Sequence, residues 1–423
     1  MSAAAEIHDL TKGWTIPTLL RRNATDHADW PALTEGIGEA ALTYTWSRLR
    51  AEVAAFTHGL ADLGLQRGDR MLIMMSKRPE HWVVDLAATH LGALPCTTYD
   101  TLSADQVRFV ARHSAAPVIV AEGAGQLAKL MPVLGDLPAL RRVIVLDEEA
   151  LPAGDERFVT YEEVWETGGA AREDRAAAFE ELTEAAAPDS PLCMIYTSGT
   201  TGDPKGVVLT HANAVYQAAM SQYVWPETVD NPRTVAYLPL AHIAERMLGI
   251  YLPMWLAGHV TICADPTQLI PTLLAVRPQG FFGVPRVWEK MAAALQAGLA
   301  AAPAEHRAAI DAAREVALQV YRLQAAGEKV PTDLADRFAQ VDAAVLKPIR
   351  ARLGLDESER NSSGAAPIPV AVLEFLASIG LVVTEVWGLS ETTGAATLST
   401  PDTFGPGTVG PVGPGLEVKL ADD

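Results

Sequence analysis

The string Tyr196-Thr197-Ser198-Gly199-Thr200-Thr201-Gly202-Asp203-Pro204-Lys205-Gly206 has the residue types of a phosphate cradle. Hydroxyls and bare glycine amides close around phosphate oxygens, and a lysine supplies the neutralising charge. The apolar residues Cys193 to Tyr196 read as a buried strand that runs straight into this loop. A Ser/Thr/Gly stretch taken alone is usually a surface turn. Eight loop-forming residues in a row, behind a strand and followed by a Lys, favour phosphate instead. The loop is not a Walker A sequence, because Lys205 follows Pro204 and precedes Gly206. A second group is Glu385-Val386-Trp387-Gly388-Leu389-Ser390-Glu391. Trp387 offers a flat π face for a purine and Glu391 a hard oxygen for Mg²⁺. Taken alone, a Trp-Gly pair with a nearby acid is more often a surface loop.

Three further strings stand between or beside these two. Asn361-Ser-Ser-Gly-Ala-Ala-Pro-Ile368 is rich in small residues, which let a backbone approach a flat ring, and it also fits a plain tight turn. Tyr237-Leu-Pro-Leu-Ala-His242-Ile-Ala-Glu245-Arg246 carries one His on an apolar segment, the usual setting of a core histidine. Phe281-Phe-Gly-Val-Pro-Arg286-Val-Trp288-Glu-Lys290 reads equally well as apolar packing.

Together the five strings resemble, in order and approximate spacing, the motifs of the AMP-forming acyl-CoA synthetases of the adenylate-forming superfamily. Trp387 stands where Tyr is commoner, and Ser390 where Thr is; both swaps keep the chemistry. With Thr43 to Val120, which is similar to the family's N-terminal pattern, the resemblance covers nearly the whole chain. The string from Val284 to Lys290 and the helical hairpin after it look most like the long-chain fatty acyl branch.

The resemblance implies a fatty acid, ATP, Mg²⁺ and coenzyme A as ligands. The carboxylate attacks the α-phosphate of ATP, giving acyl-AMP and pyrophosphate; the coenzyme A thiolate then displaces AMP. The first step is positioning and charge neutralisation, so no protein nucleophile is needed. It implies Thr197 and Glu391 at the metal, with Ser198, Gly199, Thr200, Thr201, Gly202 and Lys205 around the phosphates. Gly364, Ala365, Ala366, Pro367, Trp387, Gly388 and Ser390 would hold the adenine side of ATP. His242 would face the acyl carboxylate, and Phe282, Gly283, Val284 and Trp288 would line the acyl chain. Family members continue with a ribose-binding Thr-Gly-Asp, a hinge and a mobile C-terminal domain. The chain stops at Asp423, so a large domain without that C-terminal domain, adenylating weakly, is expected. Two other readings stay open: an adenylation domain of a carboxylic acid reductase or carrier-protein-loading enzyme, and a non-catalytic acyl- or nucleotide-binding protein.

Composition bounds the partners. Across 423 residues, 33 Lys and Arg against 52 Asp and Glu give a net charge of −19, which disfavours nucleic acid. Any phosphate must therefore be held by local geometry. Cys96, Cys193 and Cys263 lack metal-ligand spacing and read as core thiols in a reducing compartment. The N-terminus has no secretory pattern, and the most apolar stretch, Tyr237 to Cys263, is broken by His242, Glu245, Arg246 and His259. A cytoplasmic protein is expected, with any membrane contact peripheral and the oligomeric state open.

The elements that must position these residues follow an α/β pattern. Apolar runs at Met71 to Met75, Leu94 to Thr98, Pro117 to Ala121 and Arg142 to Leu146 alternate with amphipathic helices at Trp46 to Leu65, Pro79 to Leu91 and Ser103 to Arg112. Such alternation predicts a parallel sheet covered on both faces. The pattern resumes at Pro191, with strands at Leu192 to Thr197, Thr234 to Leu238, Val260 to Cys263, Gly280 to Gly283 and Leu381 to Val386. The expected fold is therefore two doubly wound subdomains, residues 1–190 with a connector and 191–400, with a helical hairpin inserted at 289–355. The alternating Leu416-Glu-Val-Lys-Leu420 predicts an antiparallel strand opening a small distorted β-barrel over 401–423.

Overall fold

A computed structural model of the chain describes residues 2–170, 172–197 and 203–421. Ser198, Gly199, Thr200, Thr201 and Gly202 lie outside the described residues. The fold is mixed α/β and divides into two compact units. The larger comprises residues 7–219 and 236–266; the smaller comprises 2–6, 220–235 and 267–421.

In the larger unit, β1 (Pro31–Glu35) pairs antiparallel with β2 (Leu42–Thr45). Five strands then form a parallel sheet: β3 (Arg70–Met74), β4 (Leu94–Thr97), β5 (Val118–Ala121), β6 (Arg142–Val145) and β7 (Phe158–Thr160). Their order is β4-β3-β5-β6-β7. The two-residue repeat of a strand divides its side chains between the two faces. Met71, Ile73, Val118, Val120 and Ile144 enter one core, while Leu72, Met74, Ile119, Ala121, Val143 and Val145 enter another. Burial on both faces is why these strands are apolar throughout rather than alternating. The helix Ala104–Ser114 starts where expected: the Ser103 hydroxyl accepts from Gln106 N–H, and Gln106 Oε1 accepts from Ser103 N–H.

A two-stranded antiparallel hairpin follows, β8 (Pro191–Thr197) with β9 (Lys205–Thr210), and β8 lies alongside β4. The expectation of a parallel partner for Leu192 to Thr197 is thus replaced by a hairpin. After β10 (Arg233–Ala236) the chain is helical from Ile243 to Leu256, with a π turn at Met247–Tyr251. Pro253 has no N–H to give Gly249, four residues back. The Gly249 carbonyl instead accepts from Trp82 Nε1 at 2.8 Å, so the irregular turn is tied to a neighbouring helix. β11 (His259–Ile262) then pairs parallel with β1.

The smaller unit contains β12 (Gly280–Gly283), β13 (Arg360–Ser363), β14 (Val383–Leu389) and β15 (Gly394–Leu398), in that order across the sheet. The first three are parallel and the last is antiparallel. The helical insertion is present: Ala304–Ala325 turns back at Gly327 into Thr332–Val341, and Ala313 and Ala317 pack with Phe338, Val341 and Val345. The barrel-opening strand is not. Leu416 to Leu420 forms no strand among the described residues, and no closed barrel is found. An alternating segment becomes a strand only when a neighbouring strand takes its backbone groups, and among the described residues no strand pairs with this one.

Candidate functional site

In the larger unit, the hairpin register sets Thr197 directly opposite Lys205. Opposed residues of an antiparallel ladder put their side chains on one face, about 5 Å apart. Thr197 and the exposed Lys205 therefore start from the same face of the hairpin, at the two ends of the segment between them. Behind them, Gly206 lies where a Cβ would come within 2.7 Å of Met194 Sδ.

His242 caps the helix that begins at Ile243, and its Nδ1 accepts from Ala244 N–H at 3.1 Å. A backbone amide can only donate, so this ring is neutral with its proton on Nε2. Burial lowers its pKa, which keeps it so. The turn before it is held from inside by Glu245, whose Oε2 accepts from Leu238 N–H at 2.8 Å.

The smaller unit collects the other residues at the carboxyl ends of its three parallel strands. Gly283 is level with Ser363 and Ser363 with Glu385, so Phe282, Gly283 and Val284, then Gly364 to Pro367, then Trp387 and Gly388 emerge side by side. That edge is where open α/β sheets bind ligands. Gly364 is required there: a Cβ would sit 2.8 Å from the Val386 carbonyl oxygen and 3.2 Å from the Phe282 ring. Ala365, Ala366 and Pro367 are exposed, and Ala365 takes a left-handed φ of 69°. The Trp387 indole is 43% exposed, an open aromatic face beside that loop. Ser390 and the exposed Glu391 form the turn between β14 and β15. Trp288 is different: it has no exposed surface, and its Nε1 donates to the Ser362 carbonyl at 3.1 Å, supporting the strand ends from within.

Gly388 is a packing requirement. An added Cβ would lie 1.6 Å from the Gly394 carbonyl oxygen across the hairpin. Gly388→Ala should cost roughly 1–3 kcal/mol, the usual price of overpacking, and displace the neighbouring indole. Thermal unfolding checks this, and a variant as stable as the parent would refute it.

Sequence reasoning missed β9, β13 and β15, and with them the face-sharing of Glu385, Trp387, Ser363 and Thr397. The signal for Glu385 was available: it stands two residues before Trp387 in a strand, and therefore on the same face.

A family model described as an AMP-binding enzyme matches residues 20–423. The chain belongs to that family. It is 32% identical to the long-chain-fatty-acid–CoA ligase ACSBG2 of Xenopus laevis over 413 residues, 96% of this chain and 55% of that protein. It is 41% identical to the putative fatty-acid–CoA ligase fadD11 of Mycobacterium tuberculosis over 247 residues, 58% of this chain and 43% of the other. The chain thus spans about half the length of the curated relatives it matches. Its fold is similar to the adenylation domain of a carboxylate reductase from Mycobacterium chelonae, with a TM-score of 0.62 at 19% identity, covering 91% of this chain and 60% of that one. Among the described residues no helix is long and apolar enough to cross a membrane.

Proposed function

We propose that this chain binds ATP and a fatty acid and forms the acyl-adenylate in a long-chain fatty acid–CoA ligase, an AMP-forming acid–thiol ligase whose second substrate is coenzyme A. The observation that carries the reading is the meeting of Gly283, Gly364 and Trp387 at the carboxyl ends of β12 to β14, which leaves an exposed indole beside a glycine-entered loop. On this reading Trp387 and Gly364 to Pro367 hold adenine. Thr197, Lys205 and the loop between them take the phosphates. The Nε2–H of His242 addresses the acyl carboxylate, and Phe282, Gly283 and Val284 follow the acyl chain. The Thr197 hydroxyl and Glu391 carboxylate are hard oxygen donors of the kind magnesium takes alongside substrate phosphates. A bound magnesium ion would neutralise charge developing on those phosphates. The three cysteine thiols are free and buried, which supports a reducing compartment such as the cytoplasm.

Isothermal titration with AMP tests the nucleotide half. The parent chain should bind, and Trp387→Ala should weaken binding by about tenfold or more, as loss of base stacking does. An unchanged affinity in that variant would remove Trp387 from the site.

A further inference from the structure

One face of the smaller unit's sheet carries a polar row. Ser363 is level with Glu385, Trp387 is opposite Thr397, and Ser399 N–H donates to the Glu385 carbonyl. By the two-residue repeat, Ser363, Glu385, Trp387, Thr397 and Ser399 share that face. The hydroxyls of Ser363, Thr397 and Ser399 are buried, with no hydrogen-bond partner among the described residues.

The glycine-rich segment from Phe404 to Gly413 is fastened along this row. Phe404 packs on the Tyr321 ring of the helical insertion, with centroids 5.2 Å apart. Gly407 N–H donates to Glu385 Oε2 at 2.7 Å. At Gly410, where φ is +79°, a Cβ would come within 2.5 Å of Ser399 Oγ. The segment then joins the edge of β15: Leu398 N–H donates to the Pro411 carbonyl at 3.1 Å, Gly413 N–H to the Ala396 carbonyl at 2.9 Å, and Val412 pairs with Thr397. Val412 therefore stands in register with Thr397 and Trp387. Between the aromatic anchor at Phe404 and the strand pairing at Pro411, Ser399 only abuts the segment at Gly410, whereas Glu385 hydrogen-bonds it at Gly407.

We propose that Glu385 is a positioning residue for the nucleotide: its carboxylate latches Gly407 and so seats the 404–413 segment beside the Trp387 indole. The inference rests on the adenine reading of Trp387. Glu385 itself need not touch the ligand, because it acts through the segment that walls the indole's row. Its role is that of an acceptor, not of a charge, which separates two kinds of substitution.

The test is AMP affinity by isothermal titration for Glu385→Ala, Glu385→Met, Glu385→Gln, Trp387→Ala and the Glu385→Ala/Trp387→Ala pair, with circular dichroism as the folding check. Glu385→Ala and Glu385→Met lose the acceptor, the second while keeping bulk, and each should weaken AMP by about fivefold. Glu385→Gln retains an acceptor oxygen for Gly407 and should stay within about twofold of the parent. The double variant should bind no more weakly than Trp387→Ala alone, since residues acting as one unit do not add. If Trp387→Ala weakens AMP while folded Glu385→Met binds like the parent, the latch is overturned and the adenine reading stands. Effects that multiply in the double variant also overturn the latch. Absence of AMP binding by the parent chain overturns both.

Discussion

Asp85→Ala should lower the stability of the larger unit by about 3–5 kcal/mol, the cost of leaving a buried charge without its partner. Asp85 and Arg246 are each 1% exposed and meet through two bonds of 2.8 Å, Nη1 to Oδ2 and Nη2 to Oδ1. Arg246 Nε donates to the Tyr251 hydroxyl at 2.9 Å, and that hydroxyl donates to Cys193 Sγ at 3.3 Å. The network joins the helix Pro79–His90, the helical run after His242 and the strand Pro191–Thr197. With Asp85 gone, the buried guanidinium loses the carboxylate that compensates its charge. Urea unfolding followed by tryptophan fluorescence reads the loss. Replacing both partners, Asp85→Leu with Arg246→Met, should recover most of it, because the pair itself contributes little beyond solvating its own charges. A single variant within about 1 kcal/mol of the parent would contradict the argument.

The second large effect is a dependence on pH set by Glu245. Its carboxyl is buried, which pushes its pKa from 4.5 up to about 8 against the opposing bond from Leu238 N–H. Oε1 has no partner among the described residues. An acid whose pKa is raised on folding holds its proton in the folded state and loses it in the unfolded one. The stability this supports is fully present below about pH 4.5 and declines as pH rises towards about 8. Each pH unit is worth about 1.4 kcal/mol, so the decline amounts to a few kcal/mol. Glu245→Gln keeps an acceptor for Leu238 and cannot ionise. It should therefore be more stable than the parent above about pH 5, with a gap that widens to about pH 8 and then holds constant.

Two histidines act in the opposite sense. Burial lowers His90 to about 4 and His211 to about 3 from 6.5. Their contribution is present above about pH 6.5 and is lost as pH falls through those values. From these three groups the stability maximum lies near pH 6.5. Thermal unfolding across pH 4 to 9 for parent and Glu245→Gln measures the effect, and parallel curves for the two proteins would refute it.

Much of this molecule was legible from patterns within single elements. Met71 to Met75 reads as a strand buried on both faces because every residue is apolar, and it divides between two cores as such a strand must. Ser103 announces a helix because its hydroxyl and Gln106 sit three residues apart. The segment between Thr197 and Lys205 reads as a cradle by residue type; its middle lies outside the described residues, and the register adds that its two ends are opposed. What escaped has its cause outside the element. Arg360-Asn-Ser-Ser363 has no apolar residue, and it is a strand only because β12 and β14 supply ladders on both sides. Leu416 to Leu420 shows the converse: alternation without a neighbour gives no strand. Glu385 belongs to the same class, since its importance depends on Gly407, a residue far along the chain and without a side chain to advertise it.

The segmental make-up of the two units constrains how this chain can be recombined. The smaller unit's pieces flank the larger unit's on both sides and also interrupt it at 220–235. Any single crossover between homologous genes therefore severs the smaller unit. A single crossover after residue 266 leaves the larger unit whole, but exchanging that unit alone takes the block 7–266 through two junctions and carries the 220–235 excursion with it. Shuffling libraries built on one breakpoint should be depleted of folded products wherever that breakpoint falls.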